Sequence, residues 1–342
     1  MTHFFSTLAY FFSFPILGCL TLLFPALVNG CTSALNYQEP EVMTETKIKV
    51  VSKSKDGQQD RTLDIFVFNN DNLQRLDSYQ RFDNWTQGNL GIASCKGEKI
   101  VYAIANSGYD RFVWAQVNSI GSMDKITTSL ENESPDQLTS CGIMEITAGE
   151  YAGEFALTPL VGQITLRSIR CDFSGLPYEG EIITEARAYL INVNAECPVT
   201  AIKQDYPMRI INNGHLDECD MDKFVNKEII LQNLGDEIGV NALNSNIKFL
   251  CYPNTSLNES PGSPFTRLVI EGKIAGNTYF WSISIGRENE GCGIIRNCNY
   301  IYDVEIRRKG TSDPDVPACV ESVQCKFEVE KWEEKEAYEI LF

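Results

Sequence analysis

The chain has 342 residues, 43% of them hydrophobic, which is enough for two domains with cores of their own. Its formal net charge is −17, and residues 1–30 contain no Asp, Glu, Lys or Arg, so the whole excess sits on the remainder. A polyanion of this kind repels nucleic-acid phosphates and anionic lipid, which excludes nucleic acid as a partner.

Residues 4–28 are dominated by Phe, Leu, Ala and Val and are interrupted by Pro15 and Pro25. The run ends in Leu27-Val28-Asn29-Gly30-Cys31, with a small residue directly before a cysteine. This is the pattern of a lipoprotein signal: residues 1–30 leave, and Cys31 takes the acyl group that holds the protein to outer-membrane lipid. The n-region departs from the usual form, offering only His3 and the α-amino group as positive charge. The run is also long enough to span a bilayer, so a permanent transmembrane helix is the competing reading. The proline pair and the Gly-Cys junction suit cleavage better. Residues 31–46 are polar and unpatterned after the cysteine and read as a tether.

Lys47–Ser52 (KIKVVS) alternates as a strand does, and 53–61 (KSKDGQQDR) is a soluble link. Leu63–Phe68, a turn at Asn69-Asn70-Asp71-Asn72, and Leu73–Phe82 read as a hairpin, because Asn and Asp accept φ > 0 and bond their own backbone. Lys99–Ala105 is a further strand, and residues 109–131 have a looser, helix-compatible spacing. Phe155–Leu160 and Ile164–Ile169 are strands on either side of Val161-Gly162, where strand-turn-strand units restart. The expected domains are therefore residues 47–162 and 163–342. In the second, Ile182–Val193, Ile247–Tyr252, Thr266–Glu271, Thr278–Ile285 and Tyr300–Arg307 are short apolar or alternating runs separated by Gly, Asn, Pro or Ser. Such spacing predicts antiparallel β-sandwiches. One short helix is expected over 220–231, and Lys326–Phe342 begins as a strand and ends as helix or edge strand.

Of twelve cysteines, Cys19 lies in the leader and Cys31 is the acylated residue. The other ten are Cys95, Cys141, Cys171, Cys197, Cys219, Cys251, Cys292, Cys298, Cys319 and Cys325. An even number in an exported chain permits disulfides, whose pairing cannot be read from sequence. The alternative is buried thiols acting as small apolar residues. None is spaced as CxxC and no histidines complete a zinc site, so no metal is expected.

Catalytic chemistry finds little to work with. Beyond the leader His215 is the one histidine, in the turn-like Asn213-Gly214-His215-Leu216-Asp217. Nothing nearby forms a triad with it. There is no GxxxxGK[ST] and no GxGxxG between strand and helix, so no nucleotide cofactor is implied. Asp217-Glu218-Cys219-Asp220-Met221-Asp222 offers oxygens to calcium but lacks the glycine and spacing of an EF-hand loop, and reads as a solvated turn. Trp85, Trp114, Trp281 and Tyr279 read as core, or alternatively as the lining of a sugar site. The expectation is no enzyme, no catalytic residue and no cofactor.

A strand removed from a sandwich leaves unpaired N–H and C=O groups and an apolar groove, which an extended segment of another subunit can fill. Lys47–Ser52 fits such a removable strand, and it is followed by Lys53, Lys55 and Arg61, where a trypsin-like protease can cut. On composition alone the favoured reading is that the strand stays and completes its own sheet.

Several stretches resemble the fimbrillin superfamily of Bacteroidales, the subunits of type V pili. Leu63–Phe68 with 69–73 resembles the family's first core strand and turn, and 99–107 (KIVYAIANS) resembles its strand ending in Ala-Asn. Phe155–Ile169 is similar to the passage between its domains. Tyr252-Pro253-Asn254, Thr266–Ile270, Ile295-Arg296-Asn297, Asn299-Tyr300, Tyr302–Arg307, Lys309-Gly310 and Asp313-Pro314 then follow in the family's order. The resemblance covers most of residues 60–330. It implies an all-β fold of two tandem transthyretin-like antiparallel β-sandwich domains with short connecting helices. It further implies a structural or accessory fimbrial subunit at the cell outer membrane, lipidated at Cys31 and joined to other fimbrial subunits by donor-strand exchange through the C-terminal segment. For stalk subunits it implies loss of the first strand after a basic residue, here Lys53, Lys55 or, by preference, Arg61. Anchor subunits keep that strand, and tip subunits bind a host glycan or protein. Ten cysteines exceed what a plain stalk subunit carries, which tilts the reading toward an accessory, tip or anchor role.

Overall fold

The computed structural model describes residues 43–52, 62–202, 206–235, 237–287, 291–332 and 334–340. The expectations placed on Cys31, Lys53, Lys55 and Arg61 lie outside these residues. The first strand, β1 (Thr44–Ser52), begins three residues earlier than its alternating pattern suggests, so Thr44, Glu45 and Thr46 belong to a sheet and not to a tether.

β1 is followed by β2 (Thr62–Asn69), β3 (Leu76–Asp83), β4 (Gly88–Ser94) and β5 (Glu98–Ala105). After an irregular stretch come β6 (Thr127–Ser129), β7 (Ser140–Thr147) and β8 (Glu154–Pro159). All but β6 share one seven-stranded sheet, ordered β3-β2-β5-β7-β8-β1-β4. The β2–β3 hairpin forms as expected: Asp71 Oδ1 accepts from the N–H groups of Leu73 (2.9 Å) and Gln74 (2.8 Å), and Gln74 takes φ 46°. The two edge strands then meet. Ser78 and the Gln80 amide on β3 both donate to the Ala93 carbonyl, and Asp77 accepts from the Cys95 N–H at 2.8 Å. Their exposed edges are blunted by side chains rather than by another strand.

β2 is buried on both faces, and its period of two divides its side chains cleanly. Leu63, Ile65 and Val67 enter the sandwich interior with Ile48, Val50, Ile92, Phe155 and Leu157. Phe66 and Phe68 point the other way, toward Trp114, Tyr102 and Leu160. That second face is covered by residues 106–139. The helix-compatible spacing there yields only two single turns, α1 (Arg111–Trp114), capped by Asp110, and α2 (Ile120–Met123), capped by Ser119.

The remaining strands are β9 (Gly162–Cys171), β10 (Ile183–Ile191), β11 (Val193–Asn194), β12 (Glu196–Pro198), β13 (Ile210–Ile211), β14 (Leu231–Asn233), β15 (Glu237–Ile238), β16 (Leu243–Cys251), β17 (Arg267–Ile274), β18 (Asn277–Ser284), β19 (Cys298–Ile306), β20 (Val323–Lys331) and β21 (Glu334–Ile340). Two five-stranded sheets result, β14-β10-β17-β18 with β15 on β10, and β16-β9-β19-β20-β21. Short pairs β11–β13 and β12–β6 complete the set, the latter joining residues 127–129 to residues 196–198. Pairing is antiparallel except for β1–β8 and β9–β19. The helix expected over 220–231 is absent. Asp217 caps a single turn, α3 (Glu218–Met221), which stops at Asp222, and a second, 3-10 turn over Lys227–Ile229 leads into β14. Asp217 and Asn226 each cap the start of a turn, so the segment holds two separate turns rather than one helix. The C-terminal Glu-Lys stretch is an edge strand, β21, rather than a helix.

One apolar cluster runs from Phe66 through Leu160 and Leu190 to Phe327. Within it, Glu133 is 4% exposed and accepts hydrogen bonds from the Tyr252 hydroxyl (2.7 Å) and the Thr139 N–H (2.9 Å). Burial holds its carboxyl above the ordinary value, against the opposing hydrogen bonds from Thr139 and Tyr252. The folded chain therefore takes up this proton at a higher pH than the unfolded chain does. Stability from this site is gained as pH falls through the folded value toward the unfolded one and is lost as pH rises through that window, so the ionised carboxyl opposes folding. Glu133→Gln removes that dependence. Its urea midpoint is expected to lie closest to that of the parent in acid and to move above it as the pH is raised. A midpoint difference that does not change with pH contradicts the assignment.

Candidate assembly interface

β1 occupies an interior position of its sheet. It pairs antiparallel with β4 over seven residues, Thr44↔Ser94 to Val50↔Gly88, and parallel with β8 over four, Lys49↔Glu154 to Ser52↔Leu157. Two more backbone bonds tie it to the β7–β8 loop, Lys49 N–H to Gly153 O (2.9 Å) and Ala152 N–H to Lys47 O (3.2 Å). Glu45, Lys47 and Lys49 face solvent, while Thr46, Ile48 and Val50 are buried, so the strand closes the core like a lid on an apolar trough. The exposed Glu45 carboxylate lies across Gly91 of β4. The outward ion pair of Lys49 with Glu154 (3.0 Å) is half exposed and contributes little.

The β18 and β16 margins are covered by other contacts. Thr311 exchanges two backbone bonds with Phe280 on β18, and the Ala318 N–H donates to Ser282 O at 2.9 Å, so residues 311–318 cover that edge. This covering loop is pinned by Arg267, a 3%-exposed guanidinium that meets Asp315 at 2.6 Å and both oxygens of Glu259 at 2.6 and 2.8 Å. On β16 the Lys248 carbonyl accepts from the Gln232 amide at 3.0 Å. β21 pairs with β20 on one side and has no strand on the other among the described residues.

The residues weighed for chemistry fall elsewhere. His215 is exposed in its loop. In the acidic turn, Asp217 caps α3, Asp220 holds Lys223 and the Asn212 N–H, and Asp222 holds Lys227 at 2.8 Å, so these oxygens already have partners. Among the described residues no group of three His, Cys, Asp or Glu is placed to hold a metal ion. Trp85, Trp114 and Trp281 are interior residues, with Trp281 Nε1 donating to Arg308 O (2.9 Å); Tyr279 packs beside Trp281, with ring centroids 6.4 Å apart. The sugar-platform alternative thereby loses its rings to the core.

Eight of the ten cysteines stand as free thiols rather than disulfide partners. Cys141, Cys171, Cys197, Cys251 and Cys298 are buried on different strands as small apolar residues, and Cys219, Cys292 and Cys319 are exposed. Burial pushes the Cys141 thiol up to about 12, so it stays protonated and inert at neutral pH. Cys95 lies at the mouth of the β1 position, its Sγ 3.6 Å from Met43 Sδ, and Cys325 stands opposite Val304 on β20.

No family model and no curated protein matches the chain. Solved structures do match it. A candidate cell adhesion protein from Bacteroides eggerthii superposes with a TM-score of 0.65 at 14% identity, covering 86% of this chain and 97% of its own. A fimbrilin from Porphyromonas gingivalis superposes with a TM-score of 0.55 at 14% identity, covering 83% and 97%. The fold is that of the fimbrillins. A tip fimbrial protein from Porphyromonas gingivalis, truncated at its C-terminus, shares it with a TM-score of 0.52 at 11% identity over 85% of this chain and all of its own. At such identities the likeness is one of fold, and the fimbrillin architecture expected from scattered motifs is present from β1 to β21.

What the motifs could not supply is the position of β1 between β4 and β8. Neither partner is its sequence neighbour, and glycines thin the pattern of β4. The Arg267 pin and the Glu133 site were equally silent, since a lone Arg or Glu in a strand or loop carries no sign of burial.

Proposed function

We propose that the chain is a structural or accessory subunit of a cell-surface fimbria of the type V class, exported as a lipoprotein and joined to other subunits by strand exchange at the position of β1. The observation that carries this reading is the place of β1. A first strand that is interior to its sheet, apolar on one face and charged on the other, is replaceable by any extended segment with the same alternation. It is followed directly by residues 53–61, which hold Lys53, Lys55 and Arg61. The fold shared with a fimbrilin and a tip fimbrial protein supports the same conclusion. Among the described residues His215 is exposed in its loop, and Asp217, Asp220 and Asp222 of the acidic turn are engaged in a cap and ion pairs.

The test is the N-terminus and mass of the protein taken from the cell surface. The expected lipid-bearing form starts at Cys31, and a stalk role adds a form that starts after one of the three basic residues. A surface form that keeps β1 assigns the anchor role instead. A protein still carrying residues 1–30 and no acyl group overturns the lipoprotein reading.

A further inference from the structure

A pocket of about 220 Å³ lies between the end of β12, the stretch after β16 and the loop before β19. Its wall is mainly apolar, built from Leu160, Cys197, Pro198, Ile202, Pro253 and Ile295. Ile202 and Ile295 are 41% and 39% exposed and mark its mouth. Among the described residues Arg296 is the one charged side chain in the wall, and no carboxylate lines it. Arg296 is half-buried, and its Nη1 is buried with no acceptor. The other half-buried and buried arginines of the described chain are answered. Arg81, Arg167, Arg187, Arg209 and Arg267 each meet a carboxylate at 3.3 Å or less. Arg287 lies over the Phe265 ring, its Cζ 3.9 Å from the centroid. Arg296 has neither kind of partner among the described residues. A guanidinium drawn part-way out of water without a counter-charge costs stability, so its place here calls for a partner from outside the chain.

We propose that this pocket binds a small organic acid, an aromatic or branched-aliphatic carboxylate, with the acid group on Arg296 and the apolar body against the wall. The planar guanidinium fork matches a carboxylate in shape as well as in charge. The size fits one ring or one branched chain, since an engineered apolar cavity of about 150 Å³ takes up benzene. The wall suits a free acid better than the end of a peptide. Pro198 and Pro253 offer no backbone N–H, and the Pro253 carbonyl already accepts from the Asn194 amide at 2.8 Å. Cys197 is paired with Thr128 of β6. An extended backbone entering here finds little to pair with. None of the lining residues belongs to β1 or to β4 and β8 on either side of it, so the pocket does not depend on strand exchange.

The experiment is calorimetric titration of the full chain at neutral pH and fixed salt, with phenylacetate and isovalerate as probes. Both are expected to saturate a single site. Phenylacetamide, which lacks the charge, and acetate, which lacks the apolar body, are expected to bind about tenfold or more weakly than phenylacetate. Arg296→Gln is expected to weaken phenylacetate by about tenfold or more, and Arg296→Lys by less. Ile202→Asp, which sets a negative charge at the exposed mouth and leaves Arg296 in place, is expected to weaken it as well. Equal affinity for the amide, unchanged binding by Arg296→Gln, or no saturable binding of either acid overturns the site. A dipeptide ending in Phe that binds as tightly as phenylacetate overturns the free acid in favour of a partner's chain terminus. The urea midpoint of Arg296→Met, without ligand, is expected to hold or rise, because the packing of the stem stays and the unanswered charge goes. A clear fall overturns the reading of Arg296 as a residue without a partner in its own chain.

Discussion

Val50→Asp is expected to unseat the first strand while leaving the rest of the chain folded. Val50 is 0% exposed, paired with Gly88 of β4 on one side and Phe155 of β8 on the other. Its surroundings are Ile48, Leu63, Ile92, Phe155 and Leu157, and no cation belongs to that cluster. An ionised carboxylate placed there loses its water and gains no partner, a cost of several kcal/mol by the order of magnitude for an unpaired buried charge. The least expensive response is for β1 to leave, because its pairing with β8 spans only four residues and β2 keeps its pairing with β3 and β5 without it. The urea midpoint is expected to fall by the equivalent of about 3–5 kcal/mol, with hydrogen exchange accelerated at β4 and β8 before the strands of the second half. Lys49→Ala is the control. It removes only the half-exposed pair with Glu154, so a change of about 0.5 kcal/mol or less is expected. If Val50→Asp behaves like Lys49→Ala, β1 does not close the core and the proposed interface falls with it.

Arg267→Ala is expected to cost about 3 kcal/mol and to make the protein self-associate. The guanidinium is 3% exposed and answers three carboxylate oxygens on two loops, Glu259 from one and Asp315 from the other. Removing it leaves both carboxylates facing each other without their cation. Asp315 retains only the Asn192 amide at 2.9 Å. The loop that carries Asp315 is the one laid along β18 through Thr311 and Ala318. Once it lifts, the backbone of β18 becomes an open edge, and open edges pair with other chains. Arg267→Lys keeps the charge but not the planar fork, so an intermediate loss is expected. Denaturant titration reads the stability and light scattering reads the association. A monodisperse Arg267→Ala protein of parental stability would show that the pin is dispensable.

The two sites differ in how they reach stability. The β1 position is a matter of apolar closure, sensitive to any charge. The Arg267 pin is a polar knot that protects an edge.

The strands at 47–52, 63–68, 99–105 and 300–307 were legible from sequence because a half-buried or buried strand must repeat its apolar residues every second position or run apolar throughout. The turn at 69–72 was legible because Asn and Asp supply their own hydrogen bonds. Local chemistry was less informative around 217–226, where Asp217 and Asn226 do cap the starts of turns but each turn stops within a few residues. β4 and β7 stayed hidden because glycines break their pattern. The reason for Gly142 of β7 lies in another strand, since a Cβ there would collide with the Ala156 carbonyl of β8. The sequence by itself determined the all-β class, the hairpins and the charged outer face of β1, since these follow from periods and turns within a few residues. Only the tertiary structure decided that β1 lies between β4 and β8, that Thr46 answers an N–H from a residue 103 positions away, and that Arg267 binds two separate loops. Pairing partners and buried polar contacts are set by which distant surfaces exclude water together, and no local pattern carries that information.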